Sequence, residues 1–171
     1  MTSILLLAGL AFTLQVPSPT AADDLGDELS KAAATTLTRE ADALRALADR
    51  LETKGEPKAA GEVRDLLPRP SPGVASRFTP LPEVVEPRFG KTDDAPAWRT
   101  ELAAIRARSA ADLLDLVRKA GEAEPPHLAK ASSYLRAIVE RDPDQAEARR
   151  LLGYVPHDGG WARPFAVRQL G

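Results

Sequence analysis

His157-Asp158 is the one place in this chain where an imidazole and a carboxylate are neighbours. A carboxylate that orients an imidazole makes a general base. Adjacent residues on one backbone, however, rarely aim their side chains at each other, so the expectation for His157 is loop polarity. His127, the other histidine, follows Pro125-Pro126 at an expected helix start. A surface or capping role is favoured there over catalysis. Neither histidine falls in an HExxH or comparable ligand spacing, and the chain has no cysteine. No metal, thiolate, disulfide or cofactor chemistry is therefore expected.

Ser132 and Ser133 lack the glycine-bracketed turn of a hydrolase nucleophile, and the ordinary polar face of a helix explains them. There is no GxGxxG or GxxxxGK[ST] loop to cradle a phosphate. The carboxylates lie on polar helix faces, where partners of opposite sign explain them better than a glycosidase-like acid pair does. No catalytic residue is assigned, and the chain is read as a non-enzyme. What remains is aromatic. Trp98 shares a stripe with Leu102 and Ile105 and belongs to a core. Trp161 follows Asp158-Gly159-Gly160 and has no stripe of its own to join. Together with Tyr154 and Tyr134 it is the candidate protein-binding set.

The elements that must position these residues are helical. Apolar residues make up 43% of the 171 residues and aromatics only 5%, so a core must be built from Leu, Ala and Val. Leu37, Ala41, Leu44, Ala48 and Leu51 alternate spacings of four and three, placing them on one face of a helix that begins near Asp23-Asp24 and ends near Thr53. Thr35, Thr36 and Thr38 are its weak point, where a kink is expected. Gly55 and Pro57 suit a turn into a second helix with the stripe Ala60, Val63, Leu66 and Leu67. A third helical stretch carries Trp98, Leu102, Ile105, Leu113, Leu114 and Val117 after a Thr92-Asp93-Asp94 start, and Ser109 with Asp112 can split it in two. Leu128, Ala131, Leu135, Ile138 and Val139 mark the next helix. Pro143 closes it, and Asp144 with Glu147 reads as a capping box opening a last helix to about Tyr154.

Between the two halves, residues 68–96 hold seven of the fifteen prolines. That density excludes a helix and a central strand. Phe78, Leu81, Val84, Val85 and Phe89 supply apolar anchors, so the segment reads as an extended stretch laid across helices, with a disordered tether as the alternative. The resulting organisation is a signal peptide over 1–22, a helical hairpin over 23–67, a Pro-rich linker over 68–96, a helical region over 97–155 and a Gly/Trp tail over 156–171.

The first 22 residues carry no charged side chain, and their apolar run from Ile4 to Val16 is shorter than the roughly 20 residues a membrane span needs. With the small residues Thr20-Ala21-Ala22 following, this predicts a secretory signal cut after Ala22, an uncleaved anchor being the alternative. The mature chain is then secreted or periplasmic and free of the membrane. The 23 basic and 25 acidic residues are interspersed, leaving no field to hold nucleic acid.

The stretch "AKASSYLRAIVERDPDQAEARRLLGY", residues 129–154, resembles a tetratricopeptide-repeat helix followed by the first helix of a next repeat. Ala131, Leu135 and Pro143 fall at small, large-apolar and helix-ending positions, and Leu152-Gly153 falls at the Leu-Gly pair. Ile138 and Arg149 depart from the pattern, which prefers Ala and Trp there. Residues 43–63 match more weakly through Leu47, Gly55 and Ala60. The resemblance, to repeat proteins of the exported bacterial type, implies an all-α fold of irregular helical hairpins and a protein or peptide partner. The functional expectation is an exported scaffold or interaction module. The competing expectation is the N-terminal helical part of a larger exported enzyme, such as a hydrolase, motivated by the ending "WARPFAVRQLG".

Overall fold

The computed structural model describes residues 19–67, 80–85 and 96–170. The apolar run Ile4–Val16, the anchors Phe78 and Phe89 and the Thr92-Asp93-Asp94 start all lie outside these. The framework is helical: α1 (Pro19–Thr53), α2 (Pro57–Arg64), α3 (Ala97–Glu122), α4 (Leu128–Arg141), α5 (Ala146–Leu151) and α6 (Pro164–Leu170). The all-α expectation needs one correction. Strands β1 (Val84–Val85), β2 (Val155–His157) and β3 (Gly160–Ala162) form a small antiparallel sheet in the order β1-β3-β2.

At 1.5 Å per residue the 35 residues of α1 extend about 52 Å, enough to serve two partners along its length. Its C-terminal half packs Leu44, Leu47, Ala48 and Leu51 against Ala60 and Val63 of α2 and against Trp98, Leu102 and Ile105 of α3. Its N-terminal half packs Leu29 and Ala33 against Ala110, Leu113 and Val117 of α3 and Leu135 and Ile138 of α4. These pairings make α3 antiparallel to α1 and return α4 alongside α1, with α2 buttressing one end. Trp98 is thus a core residue, as its stripe indicates.

Between the two apolar clusters runs a polar belt. Glu40 of α1 is only 5% exposed and accepts from Arg141 Nε of α4 at 2.7 Å. Thr36 of α1 and Ser109 of α3 are buried as well, and Ser109 shares a small cavity with Glu40. The expected splits do not occur. Thr35 Oγ1 donates to the Lys31 carbonyl at 2.9 Å, spending its hydroxyl inside the helix, and α1 is continuous. Ser109 is buried in mid-helix instead of capping, and α3 is unbroken. Since α1 starts at Pro19, Asp23, Asp24, Asp27 and Glu28 follow its first turn, and the expected cleavage point after Ala22 falls within it.

Two glycines close helices by the same device. Gly55 has φ +80° and Gly153 φ +84°. Gly153 N–H donates to Arg150 C=O at 2.9 Å and Tyr154 N–H to Arg149 C=O at 3.0 Å, the paired bonds of a Schellman turn. Gly55 and Glu56 repeat this with Glu52 and Leu51. Gly153, and not Pro156, therefore ends α5, and Pro156 lies in β2. The opening cap of α5 is Gln145, whose side chain accepts from Ala148 N–H at 2.7 Å, in place of the expected Asp144.

Candidate interaction site

Two exposed leucines, one of them expected in a buried stripe, define the principal surface. Leu128, expected in the core, is 67% exposed, and Leu151 is 55% exposed. They flank a groove of about 590 Å³ between α3, α4 and α5, lined also by Val117, Ala131, Leu135 and Leu152. Here α5 is only six residues long and ends at the Gly153 turn, and among the described residues nothing buries Leu128 or Leu151. One rim is fixed by Arg118 of α3, whose Nε and Nη2 donate to Glu147 of α5 at 3.1 and 2.6 Å. Such a fork on a carboxylate holds direction as well as charge. Arg118 in turn keeps the Glu147 carboxyl below its ordinary pKa, chiefly by that hydrogen bond. Ser132 also lines the groove, as the exposed residue of a polar helix face.

A second groove of about 440 Å³ lies between α2, α3 and the end of α4, lined by Leu66, Trp98 and Leu102 among others. Five of its ten lining residues are charged, against three of eleven in the first. Its arginines are engaged: Arg99 reaches Glu62 at 3.6 Å and Arg106 Nη2 donates to the Glu140 carbonyl at 2.6 Å. The α3/α4/α5 groove is the more apolar of the two.

The predicted aromatic set is divided by the structure. Tyr154 is 2% exposed, its hydroxyl donates to the Pro82 carbonyl at 2.6 Å, and the Arg149 and Arg163 guanidiniums lie 4.9 and 5.6 Å from its ring centre. It is an internal keystone, with its hydroxyl taken by the chain's own Pro80–Val85 segment. Arg149, 4% exposed, stands where the repeat pattern prefers Trp. It donates from Nε to the Pro143 carbonyl at 2.7 Å, and burial lowers its pKa. Tyr134 is half-buried against the N-terminal apolar cluster with its hydroxyl bonded to Ser30, and burial raises its phenol pKa. Trp161 sits in β3 between Val85 and Pro156, partly buried. It folds back onto the sheet.

Sequence reasoning missed that sheet, yet one signal was present. Asp158-Gly159 joins β2 to β3 with φ +47° and +78°, the two left-handed residues of a tight hairpin turn. The hairpin brings His157 Nε2 to 3.4 Å from Asp158 Oδ2, so the neighbours do meet. Asp158 is 89% exposed there, so water competes for the contact. His127 stands at the N-cap position of α4 without a side-chain cap bond; its backbone N–H donates to Ala120 C=O at 2.8 Å and its ring lies against Gly26 of α1. Among the described residues no group of three or more His, Asp or Glu is placed to hold a metal ion, and no helix is long and apolar enough to cross a membrane.

No protein-family profile, curated protein or solved structure matches this chain.

Proposed function

We propose that this chain is an exported helical interaction module that grips a partner polypeptide in the α3/α4/α5 groove. The observation carrying this reading is the pair of exposed leucines, Leu128 and Leu151, flanking an apolar concavity whose rim is held by the Arg118–Glu147 fork. Apolar side chains gathered around a concavity favour a ligand that brings its own apolar anchors, and an amphipathic helix presenting them at i, i+3, i+4 and i+7 fits a groove between helices. The repeat-like succession α4–α5 supports the same reading, since stacked helical units leave such faces for partners. Export rests on the charge-free start and the Thr20-Ala21-Ala22 site. Intact mass of the mature chain tests it, Asp23 at the N-terminus being the expected result.

The groove is tested with a displayed library of amphipathic helical peptides. Enriched sequences are expected to carry apolar anchors at those spacings and to lose at least tenfold in affinity when Leu128→Glu and Leu151→Glu are combined. Both positions are exposed, so the change in stability should stay within about 0.5 kcal/mol per site. No enrichment, or binding indifferent to the two changes, overturns the reading. A second reading, the helical part of a larger exported enzyme, is favoured by Phe165 on α6, which is 66% exposed. Coding sequence that continues beyond Gly171 supports it, and a stop codon there rejects it.

A further inference from the structure

Residues Pro80–Val85 are held as a bound peptide is held, through main-chain groups. The Pro82 carbonyl accepts from the buried Tyr154 hydroxyl at 2.6 Å and the Glu83 carbonyl accepts from Arg163 N–H at 2.9 Å. Val84 and Val85 then pair with Ala162 and Trp161 as an added edge strand. Little side chain is committed in return. Leu81 packs on the N-terminal apolar cluster and Val85 is half-buried, while Pro82 and Glu83 are exposed and Val84 is 43% exposed. The receiving side, by contrast, is built independently of the segment. Tyr154 is fixed by the Gly153 turn and the Arg149 guanidinium, and β3 by its hairpin with β2.

We propose that the β3 edge with Tyr154 and Arg163 is a recognition slot for an extended segment of a partner polypeptide, one presenting an aliphatic anchor, a proline and two β-branched residues. Residues 80–85 are its occupant in cis. Strand addition draws affinity from main-chain bonds and specificity from alternate side chains, which is the division of labour seen here. The occupant is also imperfect. Arg163 Nε is buried and has no hydrogen-bond partner among the described residues. Such a donor is costly to leave unsatisfied. A partner segment with a carbonyl or carboxylate that reaches Arg163 Nε makes the bond that the cis segment leaves unmade, and competes on that advantage. The opposite edge does not offer an equivalent site, because β2 carries Pro156, which has no N–H to donate.

A tethered segment competes at an effective concentration on the order of mM, so a free peptide gains access only when the cis segment is weakened. The test titrates a labelled peptide of residues 79–87, TPLPEVVEP, into the full chain and into the full chain carrying Leu81→Asp with Val85→Pro, reading anisotropy. The variant is expected to bind at least tenfold more tightly than the unmodified chain, and a peptide carrying the same two changes is expected not to bind. Equal affinity for both proteins, or equal binding of the altered peptide, overturns the proposal. If the variant does not fold, amide exchange on the unmodified chain decides. Arg163 N–H exchanging at least a hundredfold faster than Leu113 N–H supports a detachable segment, and equal rates overturn it. A concentration-dependent dimer abolished by the same two changes assigns the slot to a second copy and overturns the foreign-partner form.

Discussion

Tyr154→Phe removes one oxygen and leaves the ring in place, which isolates the hydrogen bond to Pro82 from the packing around it. The hydroxyl donates at 2.6 Å from a residue 2% exposed, whereas Pro82 itself is exposed and its carbonyl can turn to water. The loss is therefore that of one ordinary hydrogen bond, about 1 kcal/mol, and not the larger penalty of a stranded buried acceptor. That energy corresponds to about a fivefold change in an opening equilibrium. Because the bond joins the Pro80–Val85 segment to the turn between α5 and β2 and not to α3 or α4, the change should be local. Arg163 N–H, which donates to Glu83 C=O, is expected to exchange about fivefold faster, while Leu113 and Ile138 amides in the bundle keep their protection. Amide exchange followed by NMR reads both. An unchanged Arg163 rate refutes the assignment of the bond as a fastener of this segment, and a uniform rise across α3 and α4 refutes its local character.

Three further outcomes follow from other parts of the molecule. Glu40→Ala strands Arg141 in the belt between the two apolar clusters and should cost about 3 kcal/mol in urea unfolding, with Glu40→Met plus Arg141→Leu costing less than the single change. Gly55→Ala and Gly153→Ala should each cost about 1–2 kcal/mol from left-handed backbone alone, since nothing lies within 4 Å of either added Cβ. Arg118 holds Glu147 below the ordinary carboxylate pKa, so the pair stabilises above that ordinary value and the benefit fades as pH falls through the depressed one. The difference in melting temperature between Glu147→Gln and the unmodified chain should thus be present at neutral pH and shrink progressively as pH falls below about 4.

The helices could be read from the chain because their information is local. Of the stripe Leu37, Ala41, Leu44, Ala48 and Leu51 all but the half-buried Leu37 are buried, whereas of Ala60, Val63, Leu66 and Leu67 only the first two are, because α2 ends at Arg64 and leaves Leu66 40% exposed. Breaks expected inside helices failed for an equally local reason, as tertiary burial of Ser109 and the backward bond of Thr35 outweigh propensity. The sheet was hidden because its pairing is distant. Two valines in a proline-rich stretch carry no period, and their partners Ala162 and Trp161 lie more than seventy residues away. Tyr154 shows the same limit, since nothing next to it in sequence reveals that Pro82 receives its hydroxyl. The groove was readable only in part. Leu128 and Leu151 look like core leucines until the shortness of α5 leaves them uncovered.

The central claim is that the α3/α4/α5 groove is where a partner binds, and methyl NMR tests it most directly. With Leu and Val methyls labelled, a selected helical peptide is predicted to shift Val117, Leu128, Leu135, Leu151 and Leu152 while Leu44, Leu51 and Val63 in the α1–α2 cluster stay put. Shifts centred instead on Leu66 and Leu102 of the charged groove, or none at all at saturating peptide, contradict it.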